Sequence, residues 1–424
     1  MKKKTLIFLM LFSAVLLIVT GCKPVNTSKY TTKTSSKITS SSVLTSIKPT
    51  DALSSTKKES TTLSSVTSKS TIKSTTETTK VSTTKKITSG IRTTLTTIKS
   101  TTEPTTLTVT LKEKQTALGN KSCSELEVVF LNLISGGKQQ IGDSIYIGCD
   151  DVDIIIDGGI QGVGTETVVP FLKEKVTDKK IELIITTHND NDHIGGMVGL
   201  SNKEGILTIK DFTYEYIVDS GVTATTAIYS KYLTALESAK TNGGKYCSYK
   251  NMFEGTSTCP NEFYLGTLGV LKILDTKMYD LKLSDVNEYS VPAILIHGEK
   301  KILLCGDAES KAEDVLIKMN LGHVDVFKAN HHGSPTSNKI NLLDSITPDY
   351  VIISASESNS YNLPKKTIVA RFALYTQNVY ATFLSGNITV ISDGTNIFVN
   401  GESELTKVQE SNWYYKDIAN NPRP

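Results

Sequence analysis

The stretch Ile181-Glu182-Leu183-Ile184-Ile185-Thr186-Thr187-His188-Asn189-Asp190-Asn191-Asp192-His193-Ile194-Gly195-Gly196 passes from a strand to a cluster of metal-ligand side chains. Ile181, Ile184, Ile185, Thr186 and Thr187 are β-branched and flank Leu183, the composition of a short buried strand. His188, Asp190, Asp192 and His193 then fall within six residues, and a helix is predicted to open at His193. Two carboxylates this close repel each other unless a cation lies between them. Imidazole and carboxylate together suit Zn²⁺, Mn²⁺ or Fe²⁺. Asp192 alone would serve as a helix cap, but a cap needs one such residue and leaves three unexplained.

Further ligand candidates lie downstream. Ala293 to His297 and Lys301 to Cys305 read as a hairpin, ending in Gly306-Asp307-Ala308 with a helix predicted from Ala308. An acidic residue between a strand end and a helix start is well placed to bridge two cations. Val324 to Asn330 reads as the next strand and runs into His331-His332-Gly333-Ser334. Adjacent side chains leaving a strand diverge, so one of this histidine pair is expected to bind metal. His331 is taken as the ligand, and His332 as the group that donates to a phosphate or leaving group. The remaining histidines, His297 and His323, sit at a turn and in a loop and read as structural.

His188-x-Asp190-x-Asp192-His193 resembles the HxHxDH signature of the metallo-β-lactamase superfamily, with Asp in place of the second His. With Ile194-Gly195-Gly196 behind it, it is similar to the hydrolase domain of ComEC-type competence proteins. The resemblance covers roughly Leu126 to Ser392 and implies an α/β fold, a four-layer αββα sandwich with the metal cleft along one edge of its sheets. Strands at Leu126–Leu133, Ser144–Gly148 and Val152–Gly159, then a helix near Val168–Lys173, match how that fold begins. Gly142-Asp143-Ser144 and Asp157-Gly158-Gly159 resemble two of its landmarks, which would make Asp157 a brace for the metal loop.

The resemblance further implies two divalent ions, Zn²⁺ first and Mn²⁺ as the alternative. One would be held by His188, Asp190 and Asp307; the other by Asp192, His193, Asp307 and His331. Asn287 and Ser290 resemble the Asn-x-x-Ser of the same branch and would support the site. Two departures stand out. No histidine occurs between His193 and His297, where the superfamily usually has a third, and Leu363 precedes Pro364 where the branch tends to carry His.

Around this core the chain is organised by composition. Lys2, Lys3 and Lys4 precede an apolar run from Leu6 to Val19 that ends in Gly21-Cys22, the pattern of a bacterial lipoprotein signal with Cys22 as the lipidated residue. Residues 1–22 are therefore read as the leader, and residues 23–121 as a disordered Ser/Thr/Lys-rich linker whose only aromatic is Tyr30. The hydrolase domain is placed at 122–400 and a tail at 401–424. Between Ile206 and Ser220 a strand is expected, then a helix from Ile228 to Lys240 and a Gly/Cys/Ser-rich insertion over 241–262. Cys247 and Cys259 flank a short polar loop and are the expected disulfide, while Cys305 reads as a buried thiol. Residues 1–121 carry 20 Lys/Arg against 5 Asp/Glu, and the rest 26 against 38. The folded part is thus acidic, which disfavours a generic DNA-coating surface.

The expected activity is metal-dependent hydrolysis of a phosphodiester at the outer face of the membrane. The substrate is DNA, which the resemblance favours, or a choline- or teichoic-type wall polymer, which the acidic domain favours. The linker reads first as a spacer that lifts the domain from the membrane, and contact of its lysines with anionic lipid or wall polymer is the second reading. A non-catalytic surface-binding lipoprotein on a degenerate hydrolase fold is the rival from another class.

Overall fold

Ile154 and Ile156 face one side of their strand and Ile155 the other, and all three are buried; the same two-sided burial recurs along the central strands. Such strands need a layer on each face, and this requirement builds the molecule. The computed structural model describes residues 115–255 and 257–416. The leader with Cys22 and the linker up to residue 114 lie outside the described residues, as does the tail from 417.

In chain order the strands are β1 (Gln115–Gly119), β2 (Leu126–Phe130), a hairpin of β3 (Ile134–Ser135) and β4 (Lys138–Gln139), β5 (Ile145–Cys149) and β6 (Val152–Ile156). There follow β7 (Lys180–Thr186), β8 (Thr213–Asp219), β9 (Lys245–Ser248), β10 (Glu262–Leu265), β11 (Gly269–Ile273) and β12 (Ala293–His297). The last are β13 (Lys300–Leu304), β14 (Val326–Lys328), β15 (Tyr350–Ile353), β16 (Val379–Ala381), β17 (Ile388–Ser392) and β18 (Ile397–Gly401). Two eight-stranded sheets result, ordered β18-β17-β2-β5-β6-β7-β8-β9 and β1-β10-β11-β12-β13-β14-β15-β16.

Three apolar layers hold four structural layers together. Val128, Phe130, Ile154 and Leu183 of one sheet meet Leu295, Ile302, Leu304 and Ile352 of the other between the sheets. Outside the first sheet, Val129, Ile155 and Ile184 pack with Leu172, Tyr232 and Leu236 of helices Val169–Lys175 and Ala227–Thr241. Outside the second, Leu303, Phe327 and Val351 pack with Leu316, Leu343 and Phe372 of helices Ser310–Lys318, Ile340–Ile346 and Lys366–Phe372. The order is helix, sheet, sheet, helix, as expected.

Several local expectations are corrected. Residues 115–119, assigned to the linker by composition, are β1, paired in parallel with β10. An edge strand needs only backbone pairing and one buried side chain, here Leu118, and composition is blind to both. The tail does not begin at 401: Val408 is fully buried, Tyr380 bridges Lys407, and Trp413 packs edge-on against Phe383. The insertion at 241–262 contributes β9 and the helix Tyr249–Phe253, while the segment from Ile206 is a strand only over β8, after a 3₁₀ turn at Ile206–Thr208. Cys247–Cys259 is a disulfide as expected, and a second, Cys123–Cys149, ties the segment ahead of β2 to the end of β5. Cys305 is a buried free thiol. Among the described residues no helix is long and apolar enough to cross a membrane.

Two runs of parallel strands, β6-β7-β8-β9 and β13-β14-β15-β16, aim their C-terminal ends at one edge of the sandwich. Asp157 follows β6, His188 follows β7, Asp307 follows β13 and His332 follows β14. That shared edge is where the site forms.

Candidate metal centre

The loops at this edge interlock through their backbones. Asp143 N–H donates to the Asp192 carbonyl at 3.2 Å, and Gly158 N–H to the His193 carbonyl at 2.8 Å. A Cβ on Gly196 would stand 1.8 Å from the Gly158 carbonyl oxygen, so only glycine lets the ligand loop approach this closely. Asp157, His331 and His332 all adopt left-handed backbone, with φ of 59°, 49° and 52°. Non-glycine residues held there cost about 1–3 kcal/mol each and persist only where the surroundings over-determine them. Buried Glu313 supplies part of that constraint: it accepts from Asn330 Nδ2 at 2.9 Å and from Lys339 N–H at 3.0 Å.

Three buried imidazoles converge on one carboxylate. His332 Nδ1 donates to the Ser354 carbonyl at 2.8 Å, which leaves Nε2 turned to Asp307 Oδ2 at 3.3 Å and Asp192 Oδ2 at 3.6 Å. His193 Nδ1 lies 2.8 Å from Asp157 Oδ2, and its Nε2 lies 3.2 Å from Asp307 Oδ2. Asp157 is itself held by Thr187 N–H and Oγ1, both at 2.7 Å, so it orients His193 as a carboxylate behind a metal-binding imidazole does. His188 Nδ1 lies 3.1 Å from Thr187 Oγ1 and 3.3 Å from Ser290 Oγ, and Ser290 Oγ also accepts from Asp307 N–H at 3.1 Å.

The Nε2 atoms of His188, His193 and His332 are all buried without a hydrogen-bond partner, as is Asp307 Oδ1. Orphaned groups in a fold are costly unless something else satisfies them. Three inward ring nitrogens around carboxylate oxygens are a donor set that a divalent cation fits. Grouped by mutual reach, His188, His193 and Asp307 form one candidate ligand set, and Asp192, His193 and His332 a second.

The expected site residues do not all occupy their expected places. His332, not His331, brings its Nε2 into the cluster. His331 is 22% exposed, its Nδ1 lies against Glu309 at 3.2 Å and Thr336 at 3.3 Å, and its Nε2 is 3.7 Å from Asp307. The two rings do diverge, but the left-handed turn reverses which one faces inward. Asp190 stands at the rim, its side chain 49% exposed and its Oδ2 3.8 Å from His188 Nε2. Asn287 is buried beside the Ser290 turn, with its Oδ1 unpartnered. His297 is structural, held by Ser392 Oγ at 2.9 Å and the Cys123 carbonyl at 2.6 Å.

Sequence reasoning missed Lys328 and named Asp143 only as part of a fold landmark. Asp143 and Lys328 are buried and form an ion pair, and Lys328 Nζ also lies 3.7 Å from Asp307 Oδ1. The signal for Lys328 was available: a lysine inside the apolar run Val326-Phe327-Lys328-Ala329, on a strand buried on both faces.

Charges in the cluster are strongly coupled. Burial pushes the Asp307 carboxyl up, but His193 and His332 outweigh it and hold the group well below the usual carboxylate range. Burial likewise raises Asp192, yet His332 and His193 bring it down to about 2. For His332, burial works against the charge, while Asp307 and Asp143 lift it to about 10; His193 is held well above its ordinary value by Asp307 and Asp157. Burial and the neighbouring His193 charge keep His188 well below its ordinary value and neutral.

These directions set a pH dependence. In the metal-free protein the His332 imidazolium contributes stability that is complete below pH 6.5 and is lost as the pH rises through about 10. At pH 7 a cation entering the cluster must displace the protons on His332 and His193. Zn²⁺ uptake is expected to release about two protons per protein. Calorimetric titration in buffers of different ionisation enthalpy measures that number, and an apparent enthalpy independent of buffer would contradict it.

The described residues form an αββα sandwich whose candidate ligand side chains come from strand ends of both sheets and gather around Asp307. The chain has a metallo-β-lactamase fold. No family model matches it. Recombination protein 2 of Haemophilus influenzae is 33% identical over 134 residues, which is 31% of this chain and 16% of that protein. Competence protein ComA of Neisseria gonorrhoeae is 21% identical over 247 residues, 58% of this chain and 30% of that one. The chain thus spans less than a third of the length of these relatives. The metallo-β-lactamase fold protein YhfI from Bacillus subtilis aligns with a TM-score of 0.40 at 9% identity, covering 63% of this chain and 100% of its own.

Proposed function

We propose that this metallo-β-lactamase-fold protein is a binuclear metal-dependent phosphodiesterase, anchored at the outer membrane face through Cys22. One observation carries the catalytic reading: three buried imidazoles, each fixed behind by Nδ1, turn unpartnered Nε2 atoms toward Asp307 and Asp192. His188, Asp190 and Asp307 would hold one ion; Asp192, His193, His332 and Asp307 the other. Bound there, a pair of divalent ions supplies Lewis acidity and lowers the pKa of water toward neutrality.

The chain's own groups divide the remaining work. Asp192, with 23% of its side chain exposed, faces the opening and orients the attacking water by accepting its proton's hydrogen bond. His331 at the rim donates to a phosphoryl oxygen or to the leaving alkoxide. Asp157, Ser290 and Ser354 keep the imidazoles from turning.

DNA is the substrate favoured by the likeness to recombination and competence proteins. The acidic balance of residues 122–424 favours a wall phosphodiester as the second reading. The test is turnover of bis-p-nitrophenyl phosphate by Zn²⁺- or Mn²⁺-loaded protein, with nitrocefin as the carbon-centred comparator. Single-stranded DNA and a choline phosphodiester follow as polymer and wall surrogates. Phosphodiester turnover that chelation abolishes is expected. Loaded protein that cleaves none of these substrates would favour the non-catalytic binding reading. With Cys22→Ser, the protein is expected in the medium and not the membrane fraction.

A further inference from the structure

Beside the two ligand sets lies a third group of buried donors, Asp143, Asp307 and His332, whose atoms are also within mutual reach of a single cation. It already holds a positive charge. Lys328 is fully buried; its Nζ is in contact with Asp143 Oδ2, 3.7 Å from Asp307 Oδ1, and donates to the Gly306 carbonyl at 3.0 Å. We infer that the Lys328 ammonium is a built-in cation that fills the Asp143–Asp307 pocket and keeps metal ions out of it, confining them to the Oδ2 side of Asp307. This rests on the metal-centre reading above, but not on turnover.

The two oxygens of Asp307 have different neighbours, and that asymmetry is the argument. Oδ2 faces the imidazoles of His193, His332 and His331, at 3.2, 3.3 and 3.7 Å. Oδ1 faces Lys328 and has no hydrogen-bond partner. Asp143 meets the ammonium through one of its oxygens, and the other lies 3.5 Å from His332 Nδ1, which is already engaged with Ser354. Two buried carboxylates facing one pocket without a cation would repel each other with no solvent to screen them.

The lysine is confined, with its backbone paired in the sheet and its side chain fully buried. Lys328 pairs with Ile352 in the parallel ladder between β14 and β15, two residues along from Val326, which packs between the sheets. Its stem therefore leaves the strand on the inter-sheet side and delivers the ammonium to the floor of the site. A mobile divalent ion at this point would compete for Asp307 with the ions on the Oδ2 side. A covalently attached monovalent charge satisfies Asp143 and leaves Oδ2 free.

Metal content decides it. After loading with excess Zn²⁺ and desalting, elemental analysis is expected to find about one more equivalent in Lys328→Met than in the wild type. Lys328→Arg should keep the wild-type number. Asp143→Asn/Lys328→Met, which removes the pocket's own charge along with the lysine, should return to it. Equal metal content in Lys328→Met and wild type would overturn the inference. Should Lys328→Met fail to fold, anomalous scattering from Zn²⁺-soaked wild-type crystals answers independently. Peaks only on the Oδ2 side are expected, and a peak between Asp143 and Asp307 overturns the inference. A wild type that binds Zn²⁺ but hydrolyses nothing would defeat the phosphodiesterase reading and leave this one standing.

Discussion

Asp307→Ala is expected to lower kcat for bis-p-nitrophenyl phosphate by at least about 10³-fold, the scale of removing a group on which a catalytic unit depends. Its Oδ2 is the atom on which His193 and His332 both close, at 3.2 and 3.3 Å. Removal leaves the His193, His332 and Lys328 charges facing one another without their common counter-charge. Metal content should fall together with activity. Asp307→Asn keeps the shape and separates the two effects: it should fold like the wild type and still be inactive. Asp192→Ala is expected to abolish turnover with the fold intact, since this side chain is partly exposed at the opening. Near-normal rates in either alanine variant would mean that the roles given to these carboxylates are wrong.

The second large effect separates two neighbouring residues. His332→Ala should lose at least about 10²-fold in kcat along with part of the bound metal, because its buried Nε2 reaches both Asp307 and Asp192. His331→Ala should keep the wild-type metal content and lose about 10²-fold, the low end of what a hydrogen-bond donor at the reacting group contributes. The measurement is kcat and elemental metal content for both proteins, prepared in parallel. Depletion in His331→Ala with retention in His332→Ala would restore the assignment expected from the strand alone.

That exchange shows where reading a linear chain stops. Val326 to Lys328 is a strand, and the argument that adjacent side chains diverge from a strand end is sound. It fails to say which one faces in, because Asn330 to Gly333 is a tight turn with left-handed φ at both histidines. Glu313 and Ser354, from other elements, hold that turn. Asp143 was noticed only as part of a Gly-Asp-Ser landmark, since its partner Lys328 is far away in the chain. Edges were misjudged for a related reason: β1 and the segment around Val408 are ordered by pairing and packing against distant strands, which Ser/Thr-rich or polar composition does not reveal.

By itself the sequence supplied the layered α/β architecture only as what its resemblance implied, carried by His188-x-Asp190-x-Asp192-His193 and the strand order before it; strands such as Ile154-Ile155-Ile156, buried on both faces, agree with it. It also pointed to a candidate metal site, because His188, Asp190, Asp192 and His193 are close in the chain and the repulsion between the two carboxylates needs no fold to be seen. Only the tertiary structure decided which ring nitrogens point inward, which oxygen of Asp307 faces the imidazoles, and that a lysine lies against the other. Each of these depends on a contact between residues far apart in sequence, such as Ser290 with His188 or Lys328 with Asp143. Residue types and local spacing say what a side chain can bind; its partner is set by where the strands end.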